Sequence, residues 1–493
     1  MSEPGYEPRS ELNGESRGKL RCDLLIVGAG PAGMAAAIAA RRSGLTVIVA
    51  DEGTHPGGQI YRAASVSPLA DPTVLGADYA AGKALIARFM ASGAQYLAQT
   101  LVWQIEPAPS PVAMLTCRGS QAGTRQVHAG AVLLATGALE RPWPVRGWTL
   151  PGVMGVGAAQ ALLKSGGLAP RADTVLAGSG PLLWLYASQL LKAGRTIRAV
   201  VDTTPPGAAR GALRYLPRAL LAADYLLKGM RMMRAVRRAG VEIYRAAHEL
   251  EVLGETHAEA LRFRVGAQLH ALPASLVLLH QGVVPCTNAA RSIGCVHRWD
   301  AHQACWRPEV DDWGRSSVAN IWIAGDGAGV GGAKVAERAG ELAALDIAAA
   351  LQRIDTATRD RDGHSARSAT RRHLAIRPLL DAMYTPAPAL RQPASDVIVC
   401  RCEEVSAGEI RRIAGLGCTG PNQMKAFSRC GMGPCQGRWC GTTVSELLAE
   451  VQGRPPEEVG YYRIRAPIKP VTIAEIATAM PAGSSMERAE FPS

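Results

Sequence analysis

The densest chemistry in the chain lies in CRCEEVSAGEIRRIAGLGCTGPNQMKAFSRCGMGPCQGRWC, residues 400–440. Six of the eleven cysteines fall within these 41 positions, too many for chance packing. Cys400 and Cys402 form a C-x-C pair, and Cys430–Cys435 and Cys435–Cys440 are both C-x4-C. Thiols gathered this closely hold a metal or cluster, or form disulfides. Four thiolates meet the requirement of a [2Fe–2S] cluster and also suit tetrahedral zinc. The glycine-rich end, RCGMGPCQGRWCG, is backbone that can wrap a small inorganic cluster and point amides at its sulfurs. The first twenty residues, MSEPGYEPRSELNGESRGKL, contain no apolar run. They read as a disordered leader over 1–20, not a secretory signal. The expected compartment is the cytoplasm, where structural disulfides are rare, so disulfides rank below metal chemistry here.

At 493 residues the chain needs two or three cores, and 47% hydrophobic with 19% charged residues describes a soluble globular protein. No stretch reaches 18 consecutive apolar residues, so no membrane span is expected. The first folded unit opens with CDLLIVGAGPAGMAAAIAARRSGLTVIVADE. A short apolar strand leads into Gly28, Gly30 and Gly33, then an alanine-rich helix, then a second strand followed by Asp51. This is a βαβ unit with the dinucleotide fingerprint. Gly28 permits the tight turn, Gly30 lets backbone approach a pyrophosphate, and Gly33 lets helix and strand pack closely. The helix N-terminus favours the phosphate charge, and Asp51 is placed to accept from a ribose, with Glu52 as its substitute if the strand runs one residue longer. The fingerprint alone does not choose between FAD and NAD. A second βαβ start, DTVLAGSGPLLWLYASQLLKAGRTIRAVVD, carries Gly178, Gly180 and Asp202, but Leu183 stands where a third glycine would be. It binds NAD(H), binds another adenine nucleotide, or has lost its ligand; Asp202 favours NAD over NADP.

AVLLATGALERP ends a strand at Gly137, and IWIAGDGAGVGGA ends another at Gly325 and Asp326. Both stretches resemble motifs of the two-dinucleotide-binding-domain flavoproteins. That resemblance implies FAD, with Asp326 near its ribityl and pyrophosphate region. It also implies that HPGGQIYR, with Gly58 and Gln59, passes beside the flavin, and that the second glycine turn belongs to an inserted NAD(P)-binding domain. No C-x-x-C occurs in the chain, so a disulfide reductase of this fold is disfavoured. The residues 400–440 resemble the bacterioferritin-associated-ferredoxin-like module, a small helical [2Fe–2S] domain. Its spacing implies Cys400, Cys402, Cys435 and Cys440 as ligands, with Cys430 a spare thiol and Cys418 packing.

The resulting fold class is α/β: an FAD domain with an inserted nucleotide-binding-like domain, plus a small helical [2Fe–2S] domain. The expected divisions are a leader (1–20), FAD-binding halves (21–165 and 283–350), the insert (166–282), a connector with one short helix (351–395), the cluster module (396–450) and a tail (451–493). In this order of parts the chain resembles the alpha subunit of heteromeric amine and amino-acid dehydrogenases, the opine oxidase, hydrogen cyanide synthase and D-hydroxyproline dehydrogenase type. The resemblance implies three partners: a second flavoprotein subunit that oxidises the carbon–nitrogen bond, a small ferredoxin-like subunit, and a quinone or other electron acceptor. No general base announces itself in the sequence, so no catalytic residue is assigned. A stand-alone NAD(P)H-dependent reductase is the alternative. The net charge of +12 is concentrated between Arg195 and Arg245. The basic helices expected there read as a solvated face over a core, or else as a docking face for an acidic partner or the inner face of a membrane. Few aromatics interleave with those charges, which argues against nucleic acid.

Overall fold

The computed structural model describes residues 19–119, 122–170 and 173–479. The leader expected over 1–20 thus lies outside the described residues except for Lys19 and Leu20, which belong to the first strand. Residues 480–493 of the expected tail also lie outside them.

Short apolar runs build the first sheet. LLI within Lys19–Val27 and all of VIVA in Val47–Ala50 are buried, as inner strands of a parallel sheet must be. Lys19–Val27 runs parallel between Val47–Ala50 and the twelve-residue strand Gly123–Leu134. Gln95–Leu97 extends one edge, and the antiparallel strands Val112–Cys117 and Thr100–Glu106 extend the other. The long strand serves two neighbours on that side. Its residues 123–128 pair with Val112–Cys117, and residues 132–134 pair in parallel with Ile321–Ile323. The chain therefore returns to its first fold late, setting the GDG strand end beside the ATG strand end.

The excursion between them is a second fold of five parallel strands. Their order is Glu242–Arg245, Ala199–Asp202, Val175–Ser179, Val277–Gln281 and Val153–Gly155. Val153–Gly155 lies upstream of the division expected at 165/166. It is a three-residue strand held by its neighbour, with no hydrophobic period of its own. A separate antiparallel sheet, Ala247–Leu253, Ala260–Val265 and Gln268–Pro273, completes the insert. Outgoing and returning chains cross the seam as one ladder, Ala138–Glu140 against Val283–Pro285.

The connector departs from the expectation of one short helix. TATRDRDGHSARSATRRHL forms a 19-residue helix, Thr356–Leu374, followed by Arg377–Tyr384 and Pro388–Arg391. Only Gly363 and Ala366 of the long helix are buried. It is held by charge and aromatic contact: Arg359 reaches the buried Asp346, and Arg359 and Arg367 lie 4.4 and 3.8 Å from the Trp313 ring centre. The basic segment covers a small core, in which Ala212, Ala219 and Ala222 meet Ala375, Ile376 and Leu379. Of helix Ala223–Arg238 only Val236 is buried, while Leu213, Leu220, Leu221, Leu227 and Met230 are exposed. Among the described residues no helix is long and apolar enough to cross a membrane.

The cysteine module is a two-stranded hairpin, Ile398–Cys400 with Val405–Ser406, and helices Ala407–Gly415, Pro421–Ser428 and Gly441–Gln452. Ser406 caps the first helix by accepting from the Glu409 amide. The module shares a core with the first sheet. Trp148 Nε1 donates to the Ile398 carbonyl at 2.7 Å, and Asn288 Nδ2 to that of Gln436 at 3.1 Å.

Candidate functional site

The first glycine turn is built by contact. A Cβ at Gly28 would stand 2.5 Å from the Ala135 carbonyl oxygen of the ATG strand, and one at Gly33 would stand 1.9 Å from the Gly28 oxygen. Gly58 lies directly against Gly30, and the Gly57 amide donates to Ala29. Gly137 lies beside Gly327 of the GDG turn. Asp326 accepts from the Gly331 and Gly332 amides, both at 2.9 Å, and so shapes the loop leading to helix Ala333–Ala350. Asp51 rather than Glu52 faces the turn: its Oδ2 accepts from the Ala29 amide at 2.6 Å and its Oδ1 from Gly53 at 2.7 Å. Burial pushes its carboxyl up, and those two amides oppose the push. Glu52 is exposed and pairs with Lys469. The structure therefore brings Gly28, Gly30, Gly33, Asp51, Gly58, Gly137, Gly325 and Asp326 to one end of the first sheet. This is a cradle of backbone amides and missing side chains suited to a dinucleotide. Gln59 sits at its edge with an exposed side chain.

Lys164 is a residue the sequence did not reveal. It sits on helix Val156–Gly166 at a polar position that no motif marks. Its Nζ is buried and donates to the carbonyls of Gln59 and Ile60 and to Gln160 Oε1. Gln160 continues to Gln189, and Gln189 to the Leu75 carbonyl. This buried chain ties the insert to the HPGGQIYR segment. Burial, aided by the charge of Arg62, brings the Lys164 ammonium down to about 7. A folded pKa below the unfolded value near 10.4 means that the unfolded chain binds more protons between these two values. Stability from this group therefore rises with pH across that window. In Lys164→Met that rise should be absent, and thermal unfolding of the two proteins from pH 7 to 10 checks it.

The second turn packs on its neighbouring strand as the first does, but lacks the third glycine. Gly178 packs on the His280 carbonyl, and Leu183 is fully buried in the core where a third glycine would lie. Asp202 Oδ1 accepts from the amide and hydroxyl of Thr204. Ser179 donates to Gln281, and Gln281 donates to Thr203, all three being buried. His280 Nδ1 lies 2.6 Å from Glu140 Oε1, beside Gly180. Tyr384 of the connector is pushed up to about 12 by burial and by the charge of Asp202, so the connector reaches this crevice too.

The thiols fall into two groups. The Sγ atoms of Cys400, Cys430 and Cys440 lie within 4.8 Å of one another, and all three residues are buried. Cys402, which is exposed, and Cys435 stand outside that trio and near enough to feel each other's charge. Cys418 is buried apart, facing the Gly420 carbonyl. Hydrogen bonds from Cys430 and Cys440 pull Cys400 down, and the same contacts with burial hold Cys440 up. Without a cation the buried trio accommodates one thiolate, so full ionisation calls for a thiophilic metal. The donor set fits a cluster or a metal ion. The tail residue Tyr462 sets the loop around it: a Cβ at Gly431 or Gly437 would stand 2.4 or 2.5 Å from its ring. Tyr462 Oη lies 3.4 Å from Cys430 Sγ and 3.9 Å from Cys440 Sγ. Tyr461 beside it holds Arg291 on its ring face at 4.1 Å, and Arg291 also lies 5.0 Å from the Trp306 ring centre. His297 pairs with the Cys295 carbonyl, and burial brings it down to about 3, so it is neutral.

Residues 22–343 match the family model described as pyridine nucleotide-disulphide oxidoreductase, and residues 396–480 match the sarcosine oxidase A3 domain. The chain is 45% identical to the opine oxidase A subunit of Agrobacterium tumefaciens (strain Ach5), covering 92% of this chain and 91% of that protein. It is 33% identical to the hydrogen cyanide synthase subunit HcnB of Pseudomonas aeruginosa, covering 91% and 96%. The crystal structure of L-proline dehydrogenase from P. horikoshii shares the fold, with a TM-score of 0.68 at 17% identity over 94% of this chain and 81% of that one.

Proposed function

Because the chain belongs to the pyridine nucleotide-disulphide oxidoreductase family and, with it, to the family of opine oxidase A subunits, it is an FAD-dependent oxidoreductase, and we propose that it is the electron-transferring subunit of a heteromeric amine or imino-acid dehydrogenase. A second flavoprotein subunit would oxidise the carbon–nitrogen bond of an opine-, hydroxyproline- or glycine-type substrate. A small ferredoxin-like subunit would complete the assembly, and a quinone or other carrier would take the electrons.

Gly28, Gly30, Gly33 and Asp51 would hold the adenosine and pyrophosphate end of FAD, with Gly58, Gln59, Gly137, Gly325 and Asp326 around the rest. Cys400, Cys402, Cys435 and Cys440 would hold a [2Fe–2S] cluster. A bound two-electron flavin and a one-electron cluster would supply a two-to-one electron converter. The observation that carries this reading is the stretch from Tyr461 to Lys469. Tyr462 touches the buried thiols, the Ile468 amide donates to Trp103 of the first sheet, and Lys469 pairs with Glu52 beside Asp51. One segment thus spaces the thiol site from the first nucleotide turn. Leu183 in place of a third glycine, fully buried in the core, supports a donor other than NAD(H) bound at the second turn. The basic segment with its exposed leucines would serve as the face for an acidic partner or an anionic membrane surface.

Anaerobic titration of the purified chain with NADH and NADPH, followed by visible absorption, tests this. The flavin and cluster bands should stay oxidised until dithionite is added. Stoichiometric bleaching by either nucleotide would make the chain a nicotinamide-linked reductase instead.

A further inference from the structure

A [2Fe–2S] cluster takes four thiolates, two for each iron, and the module offers five cysteines for them besides the buried Cys418. Resting on the cluster reading above, we propose that Cys430 and Cys440 are interchangeable ligands to one iron. Cys400 is their constant partner there, and Cys402 with Cys435 serves the other iron.

The grouping of the sulfurs is the first ground. Two thiolates on one tetrahedral metal, each at about 2.3 Å from it, stand roughly 3.8 Å apart. The trio Cys400, Cys430 and Cys440 already lies within 4.8 Å, about an ångström from that spacing, so each pair drawn from it is near ligand geometry. Cys402 and Cys435, the other two members of the ligand set that the spacing implies, would form the second half. The trio therefore offers three sulfurs for two positions.

The surroundings do not break the tie. Cys440 immediately precedes helix Gly441–Gln452, whose N-terminus favours a thiolate. Cys430 closes the turn after helix Pro421–Ser428 and receives the Tyr462 hydroxyl at 3.4 Å. The same hydroxyl is 3.9 Å from Cys440 Sγ, so it can donate to either sulfur. Both residues are fully buried, and neither is closer to solvent than the other. Exchange between them is balanced: the incoming thiol gives up a proton, the departing thiolate takes it, and no electron moves.

The test uses the full chain, reconstituted anaerobically with iron and sulfide, as wild type, Cys430→Ser, Cys440→Ser and the double variant. Iron and acid-labile sulfide are counted, and the dithionite-reduced proteins are examined by electron paramagnetic resonance. Flavin content reports whether each variant has folded, and a serine variant that has also lost its flavin is replaced by its alanine counterpart. Each single variant should keep most of its iron with an altered resonance, while the double variant holds roughly tenfold less. Cys440→Ser as empty as the double, with Cys430→Ser like wild type, would overturn the proposal and leave Cys430 a spare thiol. A wild-type chain that takes up no iron and sulfide would instead sink the cluster reading itself, and this assignment with it.

Discussion

Gly33→Ala should yield a folded chain that has lost its FAD. The added Cβ would stand 1.9 Å from the Gly28 carbonyl oxygen, 3.0 Å from its carbon and 3.2 Å from Ile26 Cγ2. Two of those three atoms are backbone of the turn itself, so no flexible side chain can yield. Either the helix Pro31–Arg42 moves off the strand or the turn opens, and both displace the Gly30 backbone and the start of the helix from the pyrophosphate position. Overpacking of this kind costs about 1–3 kcal/mol, and lost cofactor contacts compound it. Since about 1.4 kcal/mol is a factor of ten, flavin retention should fall at least roughly tenfold. Gly44→Ala separates this effect from general strain. Gly44 has a φ of +80° with nothing within 4 Å of its Cβ position, so alanine there costs only about 1–2 kcal/mol of backbone strain. That variant should keep its flavin. The ratio of flavin to protein absorbance after gel filtration reads both, and equal flavin content in the two would refute the role given to Gly33.

The turn that makes this prediction sharp was also the most legible part of the sequence. Strands buried on both faces appear as unbroken apolar runs, and glycines forced by backbone contact appear at fixed offsets, so LLIVGAGPAG and TVLAGSG were readable as they stand. What escaped were elements held by other forces. Thr356–Leu374 carries almost no apolar stripe, because it is fastened through Arg359 and Arg367 on Trp313 and through Asp346. Charge-rich sequence without a hydrophobic period looks like a loop when its partners lie far away in the chain. The surroundings of the second turn were not legible, because Thr203, Gln281 and Tyr384 come from three distant segments.

The thiol site was legible as a site, but its internal grouping was not. The resemblance implies Cys430 as a spare thiol beside the cluster, and the αL residue Arg429 and the loop packed on the Tyr462 ring do bring its sulfur beside Cys400 and Cys440. Tyr462 itself lies in YYRIRAPIKP, a stretch with no catalytic residue type in a suggestive position. Its importance comes from what it separates, the thiols at one end and Glu52 at the other. Lys164 likewise has meaning only through the carbonyls of Gln59 and Ile60, which lie about a hundred residues earlier.

Asp346→Ala should be strongly destabilising although it lies away from both the thiol site and the first glycine turn. The side chain is fully buried, and its two oxygens accept from Arg315 Nε and Nη2, Arg359 Nη1 and Trp322 Nε1. These contacts fasten the strand that ends in Gly325–Asp326 to helix Ala333–Ala350 and to the connector helix. Alanine would leave the Trp322 N–H buried without a partner and two guanidinium groups without their anion. Losing one partner of a buried, hydrogen-bonded ion pair costs about 3–5 kcal/mol. The exposed half of Arg315 can find water, which puts the expected loss near the lower end. Burial alone would raise the Asp346 carboxyl, but the bonds from Arg315, Trp322 and Arg359 outweigh it and hold the group below the ordinary carboxylate value. A depressed folded pKa contributes stability that is complete above the unfolded value, near 3.9, and disappears as pH falls through the folded one. The difference between wild type and Asp346→Ala should therefore be constant from neutral pH to about 5 and shrink in stronger acid. Urea unfolding followed by tryptophan fluorescence at each pH measures it, and a neutral-pH difference under about 0.5 kcal/mol would show that the network carries no net stability.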